Sequence, residues 1–195
     1  MTLRTEDFRK AVRTLHREKD KVYRDAWKKR GEVLSILANI ARKVDRLEYA
    51  FDGASNARDE SLLDTAVDLF VYCLKYQTYL ADCDASAAGK LFEKIRMSRP
   101  YSEGPAGFEY LLAQVDLAEL EAGRLTVAEA GSQVLRCFAE LESYFSGLGT
   151  QHPAIVRLVH SQRLTEATVS LIGALKRDDN SMYRGFVLSN TGEIV

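Results

Sequence analysis

The sequence predicts an all-α protein: a helical bundle of about six to seven helices with a short irregular or hairpin C-terminal tail. Three observations predict it. Only three prolines interrupt 195 residues. Apolar residues recur at a helical period along most of the chain, and helix-start signals precede several of those runs.

The first run places Phe8, Val12 and Leu15 on one face behind Thr5, a residue type that caps helices. The second carries Val33, Leu37, Ile40, Val44 and Leu47, a spacing that turns one core stripe toward one partner, and Phe51-Asp52-Gly53 ends it. A polar loop through Asn56 and Arg58 follows. Ser61, with Asp64 three residues on, resembles a capping box and opens a third helix to about Leu80. A shorter amphipathic piece covers about 85–97 and stops before Arg99-Pro100.

Residues 101–107 turn to Tyr, Ser, Gly and Pro, the composition of a linker. The expected organisation is therefore a helical region over 1–98, a linker over 99–107, and a C-terminal helical region over 108–195 packed on the first. Pro105 suits the start of a helix through Phe108, Leu111, Leu112, Val115 and Ala118, stopped by Gly123. Thr126 and Glu129 match a second capping box ahead of Val134, Phe138, Leu141 and Phe145, in a helix ending at Gly147-Leu148-Gly149. His152-Pro153 starts the last long helix, to about Lys176. The tail around Ser189-Asn190-Thr191-Gly192, from Phe186 to Val195, reads as a short hairpin or an ordered coil.

Composition narrows the function classes. A formal net charge of −1 argues against bulk affinity for nucleic acid or an anionic membrane. The basic run from Arg9 to Arg30 is interleaved with Glu18, Asp20 and Asp25, as on a solvated helix, so the nucleic-acid signal is weak. No apolar run approaches the roughly 20 residues of a membrane span. Cys73, Cys83 and Cys137 show no CxxC spacing, and Cys73 and Cys137 fall on apolar faces. Buried thiols in a reducing compartment, the cytoplasm, are expected.

The chemistry-bearing residues concentrate on two helices. At about 100° per residue, Asp64, Asp68 and Lys75 share a narrow sector of a helix that is otherwise apolar nearly all round. Buried carboxylates are costly unless paired or metal-bound. Two Asp one turn apart can share Mg²⁺, completed by water and phosphate oxygens. Equally, they can pair with Lys43 and Arg46 across the helix interface. On the second helix, Glu32, Asn39, Lys43 and Arg46 share a flank beside the core stripe. Such a carboxylate, amide and two cations suit a nucleotide phosphate with its metal. Tyr23 and Trp27 can stack on a base or pack in the core.

Three segments carry a family resemblance. They are Tyr23-x-Asp25-Ala26-Trp27 with Arg30-Gly31-Glu32, then Asn39-Ile40-x-Arg42-Lys43-x-x-Arg46-Leu47-Glu48, then Leu63-Asp64-x-x-x-Asp68-Leu69-x-x-Tyr72. Over about 18–82 they resemble the helical domain associated with nucleotide modification in phages and bacteria, which is similar in turn to the MazG-like all-α nucleoside triphosphate pyrophosphohydrolases. The resemblance implies a helical bundle, often a homodimer, with acidic residues on neighbouring helices binding Mg²⁺ and cleaving the α–β bond of a nucleotide. One departure stands out: where that family has glutamates on the second helix, this chain has Arg42, Lys43 and Arg46.

Two functions follow as expectations. In the first, a nucleotide-binding, pyrophosphohydrolase-like protein of nucleotide metabolism or modification uses Glu32, Asp64 and Asp68 as catalytic metal ligands. Asn39, Lys43, Arg46, Lys75, Tyr23 and Trp27 then hold a nucleotide or another phosphorylated small molecule. In the second, the same residues form a structural ion-pair network in a noncatalytic interaction or oligomerisation module.

Overall fold

The structure, a computed structural model, describes residues 3–51, 61–145 and 152–192. Among these residues it contains helices and no strands. The centre is α3 (Leu62–Cys83), buried on nearly every side as its all-round apolar sequence requires. Its start is set by Ser61, whose Oγ accepts the Asp64 N–H at 3.0 Å. Against α3 pack α2 (Ala38–Phe51) and the longest helix, α8 (Ala154–Asp178), which also carries α7 (Val127–Ser143). α7 opens with the expected capping box, the Thr126 and Glu129 side chains each accepting the other's backbone N–H.

On the remaining side, α1 (Thr5–Tyr23) packs on α5 (Ala106–Gln114) and α9 (Asn180–Thr191). Short α4 (Ala85–Leu91) and α6 (Glu119–Ala122) fill the edges against α3 and α8. One continuous apolar core runs from Phe8 through Leu69, Phe70 and Leu112 to Ile172 and Val187. No helix among the described residues is long and apolar enough to cross a membrane. Of the three free thiols, Cys73 is buried, Cys137 half-buried and Cys83 exposed.

Five local expectations are corrected. Thr5 lies inside α1; the N-cap is Arg4, whose N–H is held by the Asp7 carboxylate at 2.7 Å. Ahead of α2, Glu32–Leu37 forms a π-helical segment entered at Gly31, where φ is 81°. The wider i→i+5 turn rotates Val33 out of the core stripe, leaving it 54% exposed, while Ile36 is fully buried in its place. α4 stops at Leu91, short of position 97.

The helix expected from Pro105 to Gly123 breaks at Val115, which is extended at ψ 130°. There the Arg9 guanidinium donates to the carbonyls of Leu112 and Val115, and Asp116 accepts the Ala118 N–H, so the break satisfies its own backbone. Finally, the tail is helical. Asp179 accepts the N–H groups of Ser181 and Met182, and Gly192 closes α9 in the left-handed region at φ 74°. The expected loop through Asn56 and Arg58, the Gly147-Leu148-Gly149 stop and Glu193-Ile194-Val195 lie outside the described residues.

The linker stretch is anchored. Asp82, near the end of α3, accepts the N–H groups of Tyr101 and Ser102 at 2.6 and 3.1 Å, and also the Ser102 hydroxyl. Lys28 Nζ donates to Ser102 Oγ at 2.7 Å from the other side. A short 3₁₀ turn (Arg24–Trp27) places Lys28 for this contact.

Candidate functional site

Asp68 sits one turn above Asp64 on α3, facing α1 and α2. Lys19 of α1 donates to its Oδ1 at 2.5 Å, and Lys43 of α2 reaches its Oδ2 at 2.6 Å. The Lys43 side chain is only 7% exposed and that of Asp68 14%, so the pair is largely shielded from water. Burial disfavours the Asp68 carboxylate, but hydrogen bonds and charge from Lys19 and Lys43 outweigh it and hold its pKa below the usual range. Each carboxylate oxygen thus already has a cationic partner.

Glu32 is committed elsewhere. Its Oε1 accepts the Tyr76 hydroxyl at 2.5 Å and Arg157 Nε at 2.9 Å, and its Oε2 accepts Arg157 Nη2 at 3.3 Å. Arg157 also donates to the His152 carbonyl, tying the start of α8 to the π-helical segment. Burial raises the Tyr76 pKa, and the Glu32 charge adds to the effect. Asp64 is exposed in the first turn of α3, where its carboxylate accepts Ser61 Oγ at 2.7 Å.

The three carboxylates therefore do not assemble. Among the described residues, no group of three His, Cys, Asp or Glu side chains is placed to hold a metal. Mg²⁺ demands near-octahedral oxygen ligation. A set with one member bound by arginine, one by two lysines and one at an exposed helix start does not fit it.

The remaining expected contacts also disperse. Asn39 donates to the Ser35 carbonyl at 2.7 Å and accepts from Arg42 at 3.1 Å, both within its own helical stretch. Arg46 is exposed on α2. Lys75 Nζ lies 4.7 Å from the centre of the Trp27 ring, and burial lowers its pKa to about 8. Trp27 is only 6% exposed and packs in the core, whereas Tyr23, the last residue of α1, is 64% exposed. Of the expected set, the structure joins Lys43 to Asp68.

What does converge is a cleft of about 510 Å³ between α1, the first turns of α3, and α9. Lys19, Asp64 and Asp68 supply its charge, and Leu15, Val67 and Phe186 its apolar wall. Ser189 and Asn190 edge it from α9. Sequence reading missed Lys19, hidden within a run that looked solvated, and missed the α9 wall. The signal for α9 was present: an Asp179-Asn180-Ser181 start followed by Tyr183, Phe186 and Val187.

Fold and site thus define an all-α bundle with an ion-paired acidic centre beside a cleft of mixed polarity. The chain matches no protein-family model. No solved structure matches it either. It is similar to the gene 30 protein of Bacillus phage SP01, at 30% identity over 106 residues, covering 43% of this chain. The chain spans about half of that curated relative, 47% of its length.

Proposed function

We propose that this protein binds a nucleotide or related phosphorylated small molecule on a pyrophosphohydrolase-like helical frame whose acidic positions have become structural. The observation that carries this reading is Asp68 held between Lys19 and Lys43 at 2.5 and 2.6 Å. A carboxylate neutralised twice over is a bundle fastener and a poor metal ligand. Support for the nucleotide half comes from the resemblance over 18–82. Free thiols and the lack of a membrane-spanning helix among the described residues suit action in the cytoplasm. A homodimer, as the resemblance implies, would cover exposed side chains such as Val33 and Leu34.

The test is calorimetric titration with ribo- and deoxyribonucleotides, once with Mg²⁺ and once with EDTA. Binding of equal strength in both buffers is expected. Binding that requires Mg²⁺ contradicts the proposal. One observation favours the catalytic alternative: Asp64 and Asp68 line the same cleft. Its signature is Mg²⁺-dependent release of pyrophosphate from a nucleoside triphosphate.

A further inference from the structure

We infer that a second cleft, between α3, α4, α5 and α8, is a binding site for a small uncharged organic molecule, with Gln77 accepting a hydrogen bond from its N–H and a leucine-lined wall holding its apolar body. The site is separate from the acidic centre and stands apart from the nucleotide reading.

Gln77, in α3, is only 4% exposed. Its Nε2 donates to Thr165 Oγ1 of α8 at 2.9 Å, and that hydroxyl gives its single proton to the Ser161 carbonyl at 2.8 Å. Thr165 Oγ1 can therefore only accept from Gln77, which fixes the amide with Nε2 inward and Oε1 outward. No donor among the described residues reaches Oε1. Unlike Tyr183 Oη, this oxygen is not sealed in the core, so it opens onto the cleft that Gln77 lines. A buried amide oxygen left unmet is costly, and a methionine of similar size would complete the core without that cost.

The cleft has room for more than a water. It holds about 340 Å³, where a water claims roughly 30 Å³. Leu74, Leu91 and Leu111, each buried, line it with Gln77. Water against such a wall is poorly held, so an apolar group gains by displacing it. The break in α5 shapes the mouth. Arg9 takes the Leu112 and Val115 carbonyls, and the extended Val115 turns the chain so that Val115 and Asp116 edge the cleft.

Charge narrows the class. Asp116 and Glu166 stand at the rim against Lys90, two carboxylates to one ammonium, which disfavours an anion. A carboxylate or phosphate would also set its lone pairs against Oε1. A cation would leave water for a leucine-lined wall, at a cost that the exposed, screened rim acids do not offset. What remains is an uncharged N–H donor on an apolar body, such as a carboxamide or a lactam-like ring.

Four probes built on one ring separate these effects: benzamide, toluene, benzoate and benzylamine. NMR titration of the protein with labelled leucine methyls reads affinity and place together. Benzamide is expected to shift the Leu74, Leu91 and Leu111 methyls and to bind roughly three- to tenfold tighter than toluene, ahead of benzoate and benzylamine. Gln77→Met should bring benzamide down to the toluene level while toluene binding holds. Gln162→Trp, at a half-buried position lining the cleft from α8, should block all four probes. Thermal unfolding confirms that both variants fold, and Gln162→Trp keeps the question decidable if Gln77→Met does not. Benzamide that shifts other residues instead, or that does not bind, overturns the site. Benzoate or benzylamine binding as tightly as benzamide, or a benzamide preference that survives Gln77→Met, overturns the role of the Gln77 oxygen. Nucleotide binding is read with other ligands, so either reading can fail alone.

Discussion

Lys43 Nζ lies 2.6 Å from Asp68 across the interface of α2 and α3, with the lysine side chain only 7% exposed. Lys43 of α2 is thus the buried cation that neutralises the acid on α3. The pair joins α2 to α3 with both side chains largely shielded from water. Breaking such a pair from one side leaves an uncompensated buried charge.

Asp68→Asn is therefore expected to destabilise the fold by about 3–5 kcal/mol. That corresponds to a fall of roughly 6–20 °C in Tm for a chain of this size. Lys19 can return to water, so Lys43 carries most of the cost. The double variant Lys43→Met/Asp68→Leu should recover much of the loss in urea unfolding, because no buried charge is then left alone.

His16 predicts how stability depends on pH. It is 1% exposed and stacked 3.8 Å from the Phe108 ring. Burial first, then the charges of Lys75 and Arg17, lower its pKa to about 3. The unfolded chain binds this proton near pH 6.5 and the folded chain does not until about 3, so stability falls as pH drops through that window. At pH 5 the loss is about 2 kcal/mol. His16→Leu should flatten this slope in denaturation curves taken from pH 7 to 5. Asp68, with its depressed folded pKa, contributes stability above about pH 3.9 that is lost only at lower pH.

Tyr76→Phe removes the 2.5 Å hydrogen bond to Glu32 and should cost about 1.5–3 kcal/mol. Arg157→Met strands the Glu32 carboxylate and should cost about 3 kcal/mol or more. Both values are read from urea unfolding. Near-neutral results would remove Glu32 from the structural network.

The glycines give opposite signs. Gly173→Ala forces a Cβ to 2.5 Å from the Glu119 carbonyl and should destabilise by about 1–3 kcal/mol. Gly185→Ala meets nothing and should stabilise by about 0.5–1 kcal/mol. Thermal unfolding of the two variants side by side checks the contrast.

The helices were legible because their signals are local. Ser61, Thr126 and Pro153 start helices as their sequence context predicts, and the apolar period carries α3, α7 and α8. Val33 failed that reading because a π-helical segment changes the period itself. The break at Val115 depends on Arg9, 106 residues away. The acidic centre was half legible. Pairing of Asp68 with Lys43 stood as one of two alternatives, since both lie on expected neighbouring helices. Arg157, 125 residues from Glu32, left no local trace in the sequence.

The most direct measurement is pyrophosphate release from a panel of nucleoside and deoxynucleoside triphosphates with Mg²⁺, run on wild type and Asp68→Asn beside their unfolding curves. No release above buffer and a marked loss of stability in Asp68→Asn are predicted. Mg²⁺-dependent release by wild type, abolished in an Asp68→Asn protein of unchanged Tm, would contradict the structural role of the Lys43–Asp68 pair.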